Sequence, residues 1–163
     1  EISTPIRFFN HLLAAFAKHG CFDLEVRAKG DFSHHIAEDV MIALGEAFER
    51  ALGSKTGIER MGEAIIPMDD ALVLAAVDLS GRPYANIRCG FRKKKLEDLS
   101  ADLFAHLLQT FANNARMNLH VEVLRGVNDH HKAEAVFKAL GVALRRASRK
   151  IGKRKIASTK GVL

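Results

Sequence analysis

The sequence predicts an α+β fold built from two repeated half-domains. Each half is a β-sheet with two helices on one face, and the helices pack between the two sheets. Three observations carry that expectation: the chain repeats itself, the copies run through helical and strand-like periods in the same order, and the segment between them reads as strands.

The repeat is explicit. Phe9-Asn10-His11-Leu12-Leu13-Ala14-Ala15-Phe16 aligns with Phe104-Ala105-His106-Leu107-Leu108-Gln109-Thr110-Phe111, with Phe, His, Leu, Leu and Phe recurring at an offset of 95. His34-His35-Ile36-Ala37-Glu38 aligns with His130-His131-Lys132-Ala133-Glu134 at an offset of 96, as do Ala43-Leu44-Gly45 with Ala139-Leu140-Gly141. One inserted residue accounts for the change. So long a period excludes a solenoid and reads as a duplication, about 1–91 and 92–163, within a single domain 1–163.

Each copy opens with an apolar helix pattern, Phe8 to Lys18 closed by His19-Gly20, and Leu103 to Asn113. A strand with period-two alternation follows, Phe22 to Arg27 and Leu119 to Val123. A short turn leads to a second helix, His34 to Leu52 with Gly53 as its C-cap, and His130 to Ser148. Between the copies, Ile65 to Asp70, Ala71 to Leu79 and Tyr84 to Phe91 have strand character, the last two separated by the turn Ser80-Gly81-Arg82-Pro83.

The 163 residues are 48% hydrophobic and 27% charged, which excludes a disordered chain. No apolar run approaches the ~18–20 residues of a membrane span. Cys21 and Cys89 are too few for a disulfide scaffold and fit a reducing, cytoplasmic setting. No charged-then-apolar leader opens the chain, and a start at Glu1 without Met reads as part-way through a longer product. The net charge of +6, concentrated between Arg145 and Lys160, suits a nucleic acid, an anionic surface or a phosphorylated small molecule.

The histidines narrow the choice. His34 and Glu38 are four apart on one helix face, whereas His35 lies about 100° around the axis. His130, Glu134 and His131 repeat the pattern, and His11 and His106 sit singly on the preceding helices. The economical arrangement is a pair of pseudo-symmetric metal sites. One uses His34, Glu38, His106 and His131; its mate uses His130, Glu134, His11 and His35. Each adjacent His pair then bridges two sites. Three imidazoles and a carboxylate suit Mn, Fe, Co or Zn rather than Ca, and the lack of thiolates argues against a structural zinc finger. His120 has no repeat partner and reads as a strand-surface residue; His19 has none either and stays open.

These segments resemble imidazoleglycerol-phosphate dehydratases. The resemblance rests on Phe8 to Leu13, Lys18-His19-Gly20, His34 to Asp39, Gly57 to Gly62, Pro67 to Ala71, Asp78 to Pro83, Asn128 to Glu134 and the ending Ala157 to Leu163. It spans the whole chain in order. It implies removal of water from imidazole glycerol phosphate in histidine biosynthesis, with two Mn²⁺ per active site. It further implies a homo-oligomeric 24-mer whose active sites form between subunits. In that family Arg60, Arg82, Ser158, Thr159 and Lys160 are implied to bind substrate, chiefly its phosphate, while His11, His19, His34, His35 and Glu38 line the same pocket. Three departures stand out: Asn10 replaces the usual Asp, the stretch before His34 is shortened, and the family's N-terminal strands, with an Arg and a Glu that reach the substrate, are missing before Glu1.

The C2 proton of the substrate has no adjacent carbonyl to acidify it. Cations on both ring nitrogens would favour the imidazolate, which can expel the C3 hydroxyl and make that proton acidic. A carboxylate would then move protons. The missing Glu is the family's candidate and Asp69 the candidate in this sequence, although Asp69 also reads as a turn residue. Arg60 and Arg82 suit charge-assisted bonds to phosphate, and Lys160 a point charge. The competing readings are a two-metal hydrolase, disfavoured for want of a bridging carboxylate, a basic nucleic-acid-binding domain, disfavoured by one Tyr and no Trp, and a metal-storage shell. Neither a nucleic acid nor a membrane is expected as a partner.

Overall fold

The structure is a computed structural model that describes residues 1–152 and 156–161. Lys153, Arg154 and Lys155 of the basic run, and Val162 and Leu163 of the C-terminal motif, lie outside the described residues. The elements are β1 (Ile2–Ser3), α1 (Arg7–Gly20), β2 (Val26–Arg27), α2 (Ser33–Leu52), β3 (Met61–Met68), β4 (Ala71–Asp78), β5 (Tyr84–Arg88), β6 (Lys95–Leu96), β7 (Leu99–Ser100), α3 (Ala101–Asn114), β8 (Asn118–Arg125) and α4 (Asp129–Ser148).

One four-stranded sheet runs in the order β3-β4-β8-β5, antiparallel except for the parallel β8–β5 pair. Alternation drives it: Ala71, Val73, Ala75 and Val77 of β4 are all buried, and the residues between them are not. α4 lies across β3 and β4, and α3 lies on β5. On their other side α1 packs against α4 and α2 against α3, so the helices form the middle of the molecule. β1 lies against α1, and Leu24, Val26 and Ala28 border a groove with Val40, Ala43 and Leu44 of α2.

The helix pairs cross the copies, the first helix of each half against the second helix of the other. Two repeat-equivalent glycines permit it. A methyl group at Gly141 would sit 2.5 Å from the Phe16 carbonyl oxygen, and one at Gly45 would sit 2.8 Å from that of Phe111. Phe16 and Phe111 are themselves repeat equivalents. Without side chains at these points, the helix backbones approach closely enough to bring the flanking histidines together.

Three expectations are corrected. Phe22 to Arg27 pairs only at Val26 and Arg27, parallel to β1. Phe22 leaves the strand path to pack on Phe16 and Phe48, with ring centroids 5.3 and 6.0 Å away. Helix α1 continues through Gly20 and stops at Cys21, which takes the left-handed conformation (φ 55°). The third strand between the copies ends at Arg88, short of Gly90 (φ 57°) and Phe91. An unforeseen hairpin, β6–β7, follows. Its Asp98 carboxylate accepts the N–H groups of Arg7 (2.7 Å) and Phe8 (3.0 Å), capping α1 from 90 residues away. Gly53 does close α2, at φ 58°.

Candidate active site

Two trios of ligand-type side chains form where the helices pair. His11 Nε2 lies 2.8 Å from Glu134 Oε2, and His130 Nε2 lies 3.5 Å from the same oxygen. In the other pair His106 Nε2 lies 2.6 Å from Glu38 Oε1, and His34 Nε2 3.7 Å from Glu38 Oε2. Within each trio one ligand atom per residue lies inside 4.8 Å of the others. This clustering of nitrogen and oxygen donors fits a divalent transition metal.

The fourth imidazole of each expected set is elsewhere. His131 Nδ1 meets Asp70 Oδ1 at 2.7 Å, and His35 Nδ1 meets Asp31 Oδ1 at 3.2 Å. Neighbouring helix residues diverge by ~100°, so a residue beside one that faces the paired helix faces away from it. A single chain therefore brings together three members of each set and not the fourth. With Nδ1 engaged by a carboxylate, Nε2 of His35 and His131 is the nitrogen left to bind a cation.

Asp70, like Asp31, is a site carboxylate that sequence reasoning missed. It accepts the N–H groups of Val127 (2.5 Å) and Asn128 (2.9 Å) as well as holding His131. Those backbone bonds, with His131, hold its carboxyl well below the usual range. Asp69 occupies the β3–β4 turn at φ 47°, exposed, with Oδ2 3.5 Å from His131 Nε2. Only a contact across 61 residues tells the two aspartates apart. Lys138 was missed too: its Nζ lies 2.7 Å from Glu134 Oε1. Burial pushes Glu134 up, but bonds from His11 and Lys138 outweigh it and hold the group at about 2. His19 faces the same charges; burial, then Lys138, lowers its pKa.

Arg60, Arg82, Ser158, Thr159 and Lys160 line one cavity of about 700 Å³. Arg60 clamps Asp78 through Nε (2.7 Å) and Nη2 (2.9 Å), and its Nη1 donates to the Ala157 carbonyl at 2.6 Å. That pairing raises its pKa and fixes the tail segment against the sheet. Arg60 N–H donates to Ala147 O near the end of α4, so the cavity lies ~25 Å along that helix from His130. One chain thus keeps its His11–His130–Glu134 trio and its cationic cavity apart.

The sequence pattern of the family described as Imidazoleglycerol-phosphate dehydratase matches residues 4–144. A curated relative of that name from Dehalococcoides mccartyi is 50% identical over 165 residues, covering 100% of this chain and 84% of its own. Another, from Roseiflexus, is 53% identical over 169 residues with the same coverage. The chain belongs to the imidazoleglycerol-phosphate dehydratase family. The crystal structure of the dehydratase from Pyrococcus furiosus, solved with (S)-C348, superposes with a TM-score of 0.91 at 42% identity, covering 100% of this chain and 90% of that one. That from Staphylococcus aureus gives 0.86 at 36%, covering 90% and 85%. As an imidazoleglycerol-phosphate dehydratase the chain is a hydro-lyase of histidine biosynthesis, and the hydrolase and nucleic-acid readings fall away. Among the described residues no helix is long and apolar enough to cross a membrane.

Proposed function

We propose that the chain dehydrates D-erythro-imidazole glycerol phosphate with two Mn²⁺ per active site, in sites that close between copies of one duplicated domain. The outward aim of His35 and His131, each beside a carboxylate and away from its own trio, is the observation that carries this reading. His11, His130 and Glu134 would share a cation with His35 of a second copy; His34, Glu38 and His106 would share one with His131 of another. Cations held by these residues would supply Lewis acidity to the substrate ring.

The chain's own residues do the rest. Asp70 and Asp31 fix the tautomer and direction of His131 and His35. Lys138 holds one Glu134 oxygen and leaves the other toward His11. Arg60, Arg82, Ser158, Thr159 and Lys160 take the phosphate, and His19 joins the histidines and Glu38 around the substrate. A ring with a three-carbon phosphorylated tail cannot reach ~25 Å along α4, so the cavity of one copy does not serve its own His11–His130–Glu134 trio. That demand supports an assembly of several copies, which the family resemblance sizes as a 24-mer; the free thiols of Cys21 and Cys89 suit a cytoplasmic setting. Asp69, exposed beside His131, takes the C2 proton.

Metal analysis, particle size and a dehydration assay in Mn²⁺ test the reading together. Two Mn²⁺ per chain, a large particle and ketone formation are expected. Turnover by a metal-free chain, or by a lone one, would overturn it.

A further inference from the structure

A buried ion pair stands behind one of the trios and takes no part in the proposed chemistry. Asp129 and Lys132 of α4 are both almost fully buried, with Lys132 Nζ 2.9 Å from Asp129 Oδ1. Lys132 Nζ also donates to the Gly90 carbonyl at 3.0 Å, and Asp129 Oδ2 accepts the N–H groups of Arg92 and Lys93, each at 2.8 Å. These bonds tie the first turn of α4 to the segment that enters the β6–β7 hairpin. From that hairpin Glu97 reaches His130 Nδ1 at 3.3 Å, while Asp98 caps α1, the helix that carries His11. All three members of the His11–His130–Glu134 trio are thus referenced to a single hairpin.

Stability alone does not account for the pair. Both charges must be desolvated, and apolar residues of similar volume usually stabilise a core as well or better. The first half of the chain uses that alternative. The offset of 96 places Ser33 and Ile36 where Asp129 and Lys132 stand, and Ile36 is simply buried among apolar neighbours. What the ion pair adds is direction: one carboxylate holds two backbone N–H groups and one ammonium, each from a fixed side.

We infer that Asp129 and Lys132 are positioning residues, locking the 91–100 segment to α4 so that His130, Glu134 and His11 keep a preset geometry for a divalent cation. This role rests on the metal reading proposed above. Without the pair the first turn of α4 is free to shift against the hairpin, and the trio must be ordered by the cation itself. Among the described residues the other trio, built on α2, has no such lock.

The test compares wild type with Lys132→Met, and with the double variant Asp129→Asn/Lys132→Met, which removes the pair without orphaning a buried charge. Amide hydrogen exchange on the metal-free proteins should quicken at residues 91–98 and 128–134 and stay unchanged at 33–38. Free Mn²⁺, followed by electron paramagnetic resonance, should report an affinity about 10–100-fold weaker in the variants. Should Lys132→Met fail to fold, the double variant carries the same expectation. A folded variant that takes up Mn²⁺ as tightly as wild type would overturn the positioning role, since a purely structural pair lowers the melting temperature alone. A wild type that takes up no Mn²⁺ would instead refute the metal reading, and this role with it.

Discussion

At α4 the His-His-x-x-Glu segment begins behind a capped turn, with Asn128 Oδ1 accepting the N–H groups of His130 (2.9 Å) and His131 (3.4 Å). Asp70 accepts the N–H groups of Val127 and Asn128, and Asp129 anchors the turn to the hairpin. At α2 the same segment follows Phe32, an exposed residue that makes no side-chain cap bond. Its nearest support is Asp31, itself on the surface. The glutamates feel the difference, Glu134 being 10% exposed and Glu38 32%. The two segments carry the same His-His-x-x-Glu residues on different supports. Ligand identity is set by the chemistry of the cation, whereas support is set by whatever segment lies behind each helix.

The largest expected effect breaks both copies at once. Replacing His35 and His131 by Ala should abolish Mn²⁺ uptake and turnover together, by more than the roughly 100-fold that loss of an outer-shell partner costs. Metal analysis beside the dehydration assay checks this, and retained activity would contradict it. A smaller effect separates the copies. Asp70→Asn should weaken Mn²⁺ binding about 10–100-fold, and Asp31→Asn much less, because Asp31 is exposed and holds its histidine at 3.2 Å rather than 2.7 Å. Equal losses by titration would remove the distinction drawn between the two supports.

Much of this was legible in the sequence because it is local. The four helices follow from apolar spacing, and the twin trios follow from i, i+4 pairs read against the repeat. Asp70 was not legible: its role depends on a turn meeting the loop before α4, 57 residues on. Lys138 was hidden among ordinary helix lysines, and the β6–β7 hairpin within a basic run, Arg92 to Lys95, that gives no alternation to read. Phe22 to Arg27 alternates well yet pairs only at Val26 and Arg27, because Phe22 turns off the strand path to pack on Phe16 and Phe48, contacts that alternation does not reveal.

The crossing glycines probe the pseudo-symmetry itself. Gly141→Ala and Gly45→Ala should each destabilise the fold by about 1–3 kcal/mol through overpacking, Gly141 the more because its neighbour is closer. Melting temperatures of metal-free protein read this, and an unchanged value in either variant would count against the close crossing. The smallest effect is in acid. Glu134 is held below its unfolded value, so its contribution to stability is complete above pH ~4.5 and lost as pH falls toward about 2. Glu38 is lowered through His106 and acts in the same direction, more weakly for its exposure. Denaturation of metal-free protein between those pH values should therefore lose more of its pH dependence in Glu134→Gln than in Glu38→Gln.

Mn²⁺ stoichiometry measured together with particle mass, on the same sample across a dilution series, bears most directly on sites that close between copies. Two Mn²⁺ per chain should be held in the multi-copy particle and released as the particle dissociates. A monomeric chain that keeps two tightly bound Mn²⁺ would contradict the account.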